Sequence, residues 1–112
     1  MTYPLTFFVQ SLSGDAAGRA NGPLIRILEK YRDDEGLYQH ELMHVKQWFA
    51  TLGLHSALYF LYRPYRQWAE VQAYRKQMTY GLSLDRAAQF LMLPRYDLRI
   101  TLDDANALLR KL

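Results

Sequence analysis

The sequence predicts an α+β fold, in which a small N-terminal antiparallel sheet packs on helices. Apolar residues alternate in the first part of the chain and recur at helical spacing from about residue 37 onward. Strands followed by helices are typical of α+β proteins rather than of alternating α/β proteins. The chain has 112 residues, half of them hydrophobic, so we expect one domain over residues 1–112 with one packed core.

Two strands are predicted near the N-terminus. Residues 3–12 alternate in the manner of the first strand, and the apolar run Leu24–Leu28 is the second. Residues 13–23, between them, are rich in Gly, Ala, Asp and Asn, and their Asn21-Gly22 pair favours a turn. We therefore predict a loop over 13–23.

The first predicted helix covers residues 37–52. The acidic residues just before it suit the N-terminal end of a helix dipole, and Gly53 is a usual C-terminal stop. Four of its apolar residues can face the core: Leu37, Trp48, Phe49 and Leu52.

The later elements are delimited by proline, glycine and serine. Pro64 fits the first turn of a helix that ends before Gly81, Ser83 fits an N-cap, and Pro94 stops the helix that Ser83 begins. The predicted bounds are 55–62, 65–80 and about 84–93 for helices, 96–101 for a short strand and 102–112 for the last helix.

Composition excludes several kinds of site. The chain has no cysteine, so disulfides, thiolate metal sites and cysteine nucleophiles are excluded, and a metal ligand must be histidine or carboxylate. The N-terminal residues do not resemble a signal peptide, and the apolar run at 57–62 is far shorter than the roughly 20 residues that span a bilayer. We expect no transmembrane segment and a cytoplasmic location.

Positive charge is concentrated in the second half of the chain. Residues 1–62 contain five Lys and Arg against six Asp and Glu, whereas residues 63–112 contain nine against five. Solvated helix faces are the commoner origin of such a bias, so no nucleic acid is expected as a partner. A basic nucleic-acid-binding module is kept as an alternative, because aromatic residues and arginines alternate over 59–68. The same stripe could lie on a membrane interface, although a packed helix pair is the favoured interpretation.

His40-Glu41-Leu42-Met43-His44 is an H-E-x-x-H sequence within the first predicted helix. Residues four apart lie one above the other on a helix face, so both imidazoles can reach one zinc ion. Glu41 lies just off the ligands, where it can take a proton from a metal-bound water without binding the metal. We predict His40 and His44 as zinc ligands and Glu41 as the catalytic base. The alternative is two surface histidines beside a solvated Glu41.

Catalytic zinc normally has three protein ligands and one open position, so a third ligand must come from downstream. The candidates are His55, Glu70, Asp85 and the aspartates near the C-terminus. Glu70 is favoured because its helical stretch is mostly apolar, and a carboxylate there is costly to bury unless a charged group satisfies it. The alternative is an exposed Glu70 paired with Arg66 or Arg63. His55 is predicted to be a cap, surface or supporting residue.

The pattern His40-Glu41-x-x-His44-Val45-x-Gln47, followed by Glu70-x-x-Ala73 with 25 residues between His44 and Glu70, resembles the gluzincin metallopeptidases. The short spacer and small chain look most like the minigluzincins, soluble single-domain relatives of integral-membrane metallopeptidases. The resemblance covers about residues 20–80. It implies zinc on His40, His44 and Glu70, Glu41 as general base, and a peptide or protein substrate. It also implies that the strand near Leu24–Leu28 lines the cleft and pairs with an extended substrate.

Two features of such a peptidase stay open in the sequence. Some minigluzincins resemble latent zymogens with a C-terminal segment in the cleft, and the segment after Pro94 could serve in this way or close the fold ordinarily. A latent or non-proteolytic zinc protein is therefore an alternative function. A peptidase also needs an oxyanion stabiliser, for which the candidates are Tyr62, Tyr65, Tyr74, Arg63 and His55.

Overall fold

The computed structural model describes residues 5–12 and 16–110, in which three strands precede five α-helices. The strands are β1 (Leu5–Val9), β2 (Gly18–Asn21) and β3 (Leu24–Leu28). The helices are α1 (Glu35–Ala50), α2 (His55–Leu61), α3 (Arg63–Met78), α4 (Leu84–Leu91) and α5 (Leu102–Arg110). This order confirms the α+β prediction. The parts of the predicted elements at 3–4, 13–15 and 111–112 lie outside the described residues.

The sheet is mixed, with the strand order β1-β3-β2. β2 pairs antiparallel with β3, but β1 pairs parallel with it, so the prediction of an antiparallel sheet is wrong for β1. The prediction of a loop throughout 13–23 is wrong at β2. Gly22 adopts a φ of 60°, which lets the chain reverse between β2 and β3. Hydrogen bonds to β3 hold residues 18–21 in an extended conformation, although Gly, Ala and Asn have weak β-propensity.

Helix α1 begins two residues earlier than predicted, because Asp34 caps it. The Asp34 carboxylate accepts a hydrogen bond from the backbone N–H of Leu37 at 3.0 Å. The helix ends at Ala50, and Leu52 and Gly53 then adopt left-handed φ angles of 55° and 87°. Leu37 is buried as predicted, whereas Phe49 and Leu52 are exposed, so those two core assignments are wrong. The chain changes direction before Leu52 can continue the buried face.

Helices α3 and α4 begin with the predicted signals. Pro64 lies in the first turn of α3, and the Ser83 hydroxyl accepts a hydrogen bond from the backbone N–H of Arg86 at 3.2 Å. Both end two residues before their predicted limits, at Met78 and Leu91. Such shifts are ordinary at helix ends, where the last turn tightens.

The predicted strand at 96–101 is absent from this part of the described chain. A 3-10 turn occupies Pro94–Tyr96, and Asp97 and Arg99 adopt φ angles of 49° and 59°. A strand requires negative φ throughout, so the alternating apolar pattern cannot form one. Leu98 is nevertheless buried, because the irregular segment packs on the helices.

Two apolar clusters lie on either side of the α1–α3 interface. The sheet cluster consists of Ile25, Ile27, Leu37 and Val45. The helix cluster joins α3, α4, α5 and the segment between the last two, and it includes Val71, Tyr74, Leu91, Leu98 and Leu109. Helix α1 contacts both the sheet and α3, so the facing side chains of α1 and α3 lie between the clusters. Among the described residues, every helix is too short or too polar to cross a lipid bilayer.

Candidate metal centre

Helix α1 presents the two motif histidines on one face. His40 and His44 are both buried, and their ring centroids lie 5.1 Å apart, as the spacing of one helical turn requires. The neighbouring Val45 faces the sheet cluster, which sets the rotation of the helix. The amphipathic pattern of α1 thus directs both imidazoles toward α3. The alternative of two surface histidines is not what the structure shows.

Helix α3 brings Glu70 to the same point. Its carboxylate is buried, with Oε1 at 3.3 Å from Nε2 of His40 and Oε2 at 3.3 Å from Nε2 of His44. One ligand atom from each of the three side chains lies within 4.8 Å of the others. In the described part of the chain, His40, His44 and Glu70 are thus the group that could hold a metal ion. The alternative of an exposed Glu70 paired with arginine is wrong.

Two glutamine side chains orient the histidines, and the sequence analysis did not assign them this role. Nδ1 of His40 lies 3.0 Å from Oε1 of Gln77, and Nδ1 of His44 lies 2.9 Å from Oε1 of Gln47. An amide oxygen only accepts hydrogen bonds, so each Nδ1 carries a proton and donates it. The Nε2 atoms, which face Glu70, are therefore the ones available to a metal.

The Gln47 side chain also joins the two helices of the site. Its amide nitrogen donates a hydrogen bond to the backbone oxygen of Ala69 at 3.1 Å, next to Glu70. One side chain thus holds a ligand of α1 in register with the ligand of α3. The contact between Gln47 and His44 could have been predicted from the sequence, because residues three apart are neighbours on a helix. Nothing in the sequence indicates that Gln77 contacts His40.

The charged groups of the cluster act strongly on one another. Nε2 of a neutral histidine with its proton on Nδ1 has a lone pair, which would face a carboxylate oxygen of Glu70 unless a proton or a metal ion lies between them. Oε1 of Glu70 is buried and accepts no hydrogen bond, although Nε2 of His40 lies nearby. Burial alone would lower the pKa of His44, but the charges of Glu70 and Glu41 and the hydrogen bonds to Glu70 and Gln47 together outweigh burial and raise that pKa to about 9. Burial alone would raise the pKa of Glu70, but His44 and His40 hold it well below its usual range.

Zinc fits this donor set. In a tetrahedral site with metal–ligand distances of about 2.0–2.1 Å, neighbouring ligand atoms lie about 3.3 Å apart. The two contacts between histidine nitrogens and Glu70 oxygens have this length. Two neutral imidazoles and one carboxylate are also ligands that zinc accepts. An ion in this place would satisfy the unpaired oxygen of Glu70 and both nitrogen lone pairs.

Glu41 lies beside the cluster without belonging to it. It is buried, and burial raises the pKa of its carboxyl group, against the influence of His40 and His44. Its carboxylate lies against β2: a Cβ atom placed on Gly18 would be 3.3 Å from Oε2 of Glu41. Because glycine has no Cβ, position 18 leaves room for the carboxylate of Glu41. A buried carboxyl group with a raised pKa, next to a metal-binding group, is typical of a general base.

Helix α2 contributes a further residue that the sequence analysis did not assign to the site. The hydroxyl of Tyr59 donates a hydrogen bond to Oε2 of Glu70, and its ring contacts that of His44. Tyr59 is four residues after His55, so both lie on the same face of α2. His55 lies beside the site, as a supporting role would require, with its ring centroid 5.8 Å from that of His44. Burial and the charge of His44 lower the pKa of His55 to about 4.

Of the five side chains expected as oxyanion stabilisers, some lie beside the His40–His44–Glu70 cluster and others lie away from it. Tyr62 and Arg63 are exposed at the junction of α2 and α3. Tyr65 shares a 2.7 Å hydrogen bond with Nδ1 of His55, next to the site. The Tyr74 ring packs on His40 with centroids 4.3 Å apart, but its hydroxyl is buried in a 2.6 Å hydrogen bond with Tyr96. His55 and Tyr65 are therefore the two of the five whose polar atoms lie beside the cluster and outside the core.

Fold and site together define an α+β protein with a buried His-His-Glu group that could bind a metal ion. Comparisons with protein-family models, with curated proteins and with solved structures find no match to this chain.

Proposed function

We propose that this protein is a zinc-dependent metallopeptidase of the gluzincin type. The observation that carries the proposal is the convergence of two buried imidazole Nε2 atoms and one buried carboxylate, with both Nδ1 protons held by glutamine. Structural sites usually have four protein ligands, whereas three protein ligands are typical of catalytic zinc. The position of Glu41 beside these three ligands supports hydrolysis rather than storage or a purely structural role for the metal.

His40, His44 and Glu70 would hold the ion, and Glu41 would handle the proton. Zinc, when bound, supplies the Lewis acidity that activates water and polarises a carbonyl group. Glu41 takes the proton of the attacking water on its carboxylate and passes it to the leaving amine. Tyr59 holds the carboxylate of Glu70 in place, and the two glutamines keep the imidazoles in one tautomer.

The substrate of the proposed reaction is an extended peptide that pairs with β2. The expectation that the strand Leu24–Leu28 pairs with substrate is wrong, because β3 is central and hydrogen-bonded to a neighbour on each side. β2 is an edge strand of this sheet, and the Glu41 side chain occupies the space where a side chain at position 18 would begin. A peptide added to that edge would place its backbone beside the general base without a side chain intervening.

Metal analysis of single variants tests the proposal. We expect one zinc per chain in the wild-type protein and loss of bound zinc in His40→Ala, His44→Ala and Glu70→Ala, because each removes one of three ligands. The measurement is elemental analysis of protein purified with adequate zinc, followed by equilibrium dialysis against the metal. His55→Ala is the matched control, since it removes a nearby histidine that lies outside the triad. It is expected to keep the zinc.

Two outcomes would contradict the metal site. A wild-type protein that holds no zinc after dialysis against excess metal excludes it directly. Equal loss of zinc from His55→Ala and His44→Ala would mean that binding depends on general packing rather than on the three ligands. Circular dichroism of each metal-free variant separates loss of a ligand from loss of the fold.

A second candidate function is a latent form of the same peptidase. One observation favours it: in the segment Pro94–Tyr96, Tyr96 shares a hydrogen bond with Tyr74, whose ring packs on His40, and the charge of Arg95 acts to lower the pKa of Glu41. Arg66 fixes this segment by donating hydrogen bonds to the backbone oxygens of Tyr96 at 2.6 Å and Asp97 at 3.3 Å. Deleting the chain after Pro94 is not a clean test, because Leu98 and Leu109 belong to the helix cluster.

A point variant tests latency within the full chain. If the segment restrains the site, Arg95→Ala is expected to raise peptide hydrolysis severalfold at unchanged zinc content, because it removes the segment's side chain whose charge acts on the general base. In an unrestrained site the same change lowers the rate, since loss of the positive charge disfavours ionised Glu41. Initial rates of cleavage of unfolded peptides distinguish the two signs. Arg110→Ala, an exposed arginine in the last turn of α5, is the matched control.

A further inference from the structure

Helix α2 turns an apolar face toward solvent. The residues Leu54, Ala57 and Leu61 recur at i, i+3 and i+7, the spacing of one helix face, and Phe60 flanks them. All four are exposed, as is Leu52 in the turn before the helix, and no residue of α2 is fully buried. We call Leu52, Leu54, Ala57, Phe60 and Leu61 the α2 apolar face. The exposed fractions of Leu52, Phe60 and Leu61 are 93%, 80% and 85%, so these side chains are nearly free of protein contacts.

Leu52 is unfavourable in this position in two ways. Its φ of 55° lies in the left-handed region, which disfavours residues with a bulky Cβ substituent and favours glycine or asparagine. Its side chain is also almost wholly exposed, so burial within the chain does not offset the strain. Backbone outliers that the fold itself does not require are found at binding sites, where a partner makes use of them.

The charges beside this face are predominantly positive. Arg63 is exposed at the start of α3, just after α2, and Arg66 donates hydrogen bonds to the backbone oxygens of Tyr59 and Phe60 at 2.8 and 3.4 Å. Asp97, the acidic side chain that Arg63 and Arg66 influence, is already paired with Arg99 at 3.1 Å. The face is therefore apolar at its centre and cationic at the edge next to α3.

We propose that the α2 apolar face docks on an anionic lipid bilayer. Exposed leucine and phenylalanine side chains can enter the boundary between headgroups and acyl chains, while flanking cations attract acidic headgroups. A second copy of this chain is disfavoured as the occupant, because face-to-face pairing would bring the arginines of two copies toward each other. The inner face of α2 holds His55 and Tyr59 beside the metal ligands. Docking would thus place the metal centre about one helix diameter, roughly 10 Å, from the bilayer surface.

Vesicle sedimentation of the full chain tests this proposal. We expect binding to phosphatidylcholine vesicles that contain phosphatidylserine, weak binding to phosphatidylcholine alone, and a fall in binding as salt is raised. Leu61→Ser is expected to lower partitioning about tenfold or more, because burial of one large apolar side chain contributes that much. The measurement is made with and without a chelator, so its result does not depend on the proposed metal site.

Two further variants separate docking from folding. Leu52→Asn suits the left-handed conformation, so it is expected to keep or raise the melting temperature while it lowers vesicle binding severalfold. Phe7→Ser is the matched control, since Phe7 is 52% exposed on β1, outside the α2 apolar face. It is expected to leave vesicle binding unchanged.

Three results would overturn the proposal. The first is an absence of sedimentation with the mixed vesicles at low salt. The second is an equal loss of vesicle binding in Phe7→Ser and Leu61→Ser, which would show that the face has no special part. The third is a concentration-dependent dimer in solution that Leu61→Ser abolishes while vesicles do not bind, which would identify a second copy of the chain as the occupant.

Discussion

Glu41→Gln is expected to keep zinc and to lose peptide hydrolysis by about 100- to 10,000-fold, the usual contribution of a general acid–base group. The amide has the size of the carboxylate, so it fits the space beside Gly18, but it cannot take a proton from water. Because Glu41 lies outside the His40–His44–Glu70 group, its charge is not needed to hold the metal. The measurement is cleavage of a library of unfolded peptides, read by mass spectrometry, beside the zinc content of the same preparation.

The pH dependence of the rate adds a second readout for the same residue. Burial raises the pKa of Glu41, so the acidic limb of the wild-type profile should lie above the range of an exposed glutamate. Glu35→Gln is the matched control: Glu35 is exposed at the start of α1, where it accepts a hydrogen bond from Gln39, and its loss should change neither rate nor zinc content. Wild-type rates in Glu41→Gln would exclude Glu41 as the base, whatever the metal does.

Zinc is expected to stabilise the folded protein by about 4 kcal/mol when its free concentration exceeds the dissociation constant a thousandfold. For a chain of this size that corresponds to a rise in melting temperature of roughly 15 °C. The physical reason is that one ion binds both Nε2 atoms and the buried Glu70 carboxylate, whose Oε1 has no hydrogen-bond partner among the described residues. Thermal unfolding with saturating zinc and with a chelator measures the difference.

The stabilisation by zinc should depend on pH with a definite sign. In the metal-free protein the pKa of His44 is raised from 6.5 to about 9, so protonated His44 stabilises that form fully below pH 6.5 and loses this contribution as pH rises through about 9. The pKa of Glu70 is lowered, so its contribution is lost only on acidification, well outside this window. Zinc must displace the proton of His44, so its apparent affinity should rise about tenfold per pH unit over this range.

The third histidine provides the control for this experiment. The pKa of His55 is lowered to about 4, so His55 stays neutral throughout the window and His55→Ala should leave the pH dependence unchanged. In Glu70→Ala the zinc-induced shift in melting temperature should be small at every pH. A shift that is independent of pH, or equally large without Glu70, would contradict the assignment of His44 and Glu70 as paired ligands.

Local patterns predicted the elements that carry the site. The H-E-x-x-H spacing places two side chains on one face of any α-helix, so the pairing of His40 with His44 needed only the prediction of α1. Ser83 was likewise identified as a cap from its position, because capping is a contact between near neighbours. Glu70 was predicted from the cost of burying a carboxylate among apolar residues, which is a local argument with a distant consequence.

The predictions that were wrong have two causes. Some depend on contacts between residues that are distant in the sequence, and others depend on backbone angles that the pattern of apolar and polar residues does not predict. β2 forms because β3 offers hydrogen bonds to residues that favour a loop. The segment 96–101 alternates like a strand, but left-handed angles at Asp97 and Arg99 prevent pairing, and Arg66 binds its backbone instead. The hydrogen bond from His40 to Gln77 joins residues 37 positions apart, and no spacing rule indicates such a pair.

The sequence by itself determined which kinds of metal ligand the chain can offer: without cysteine and with H-E-x-x-H on a helix, they are histidine and carboxylate. The tertiary structure alone decided that Glu70 meets both imidazoles, that Gln47 and Gln77 set their tautomers, and that Tyr59 supports the carboxylate. The physical reason is that ligand type and helical spacing are properties of neighbouring residues. Convergence at 3.3 Å depends instead on how α1 and α3 pack between two apolar clusters.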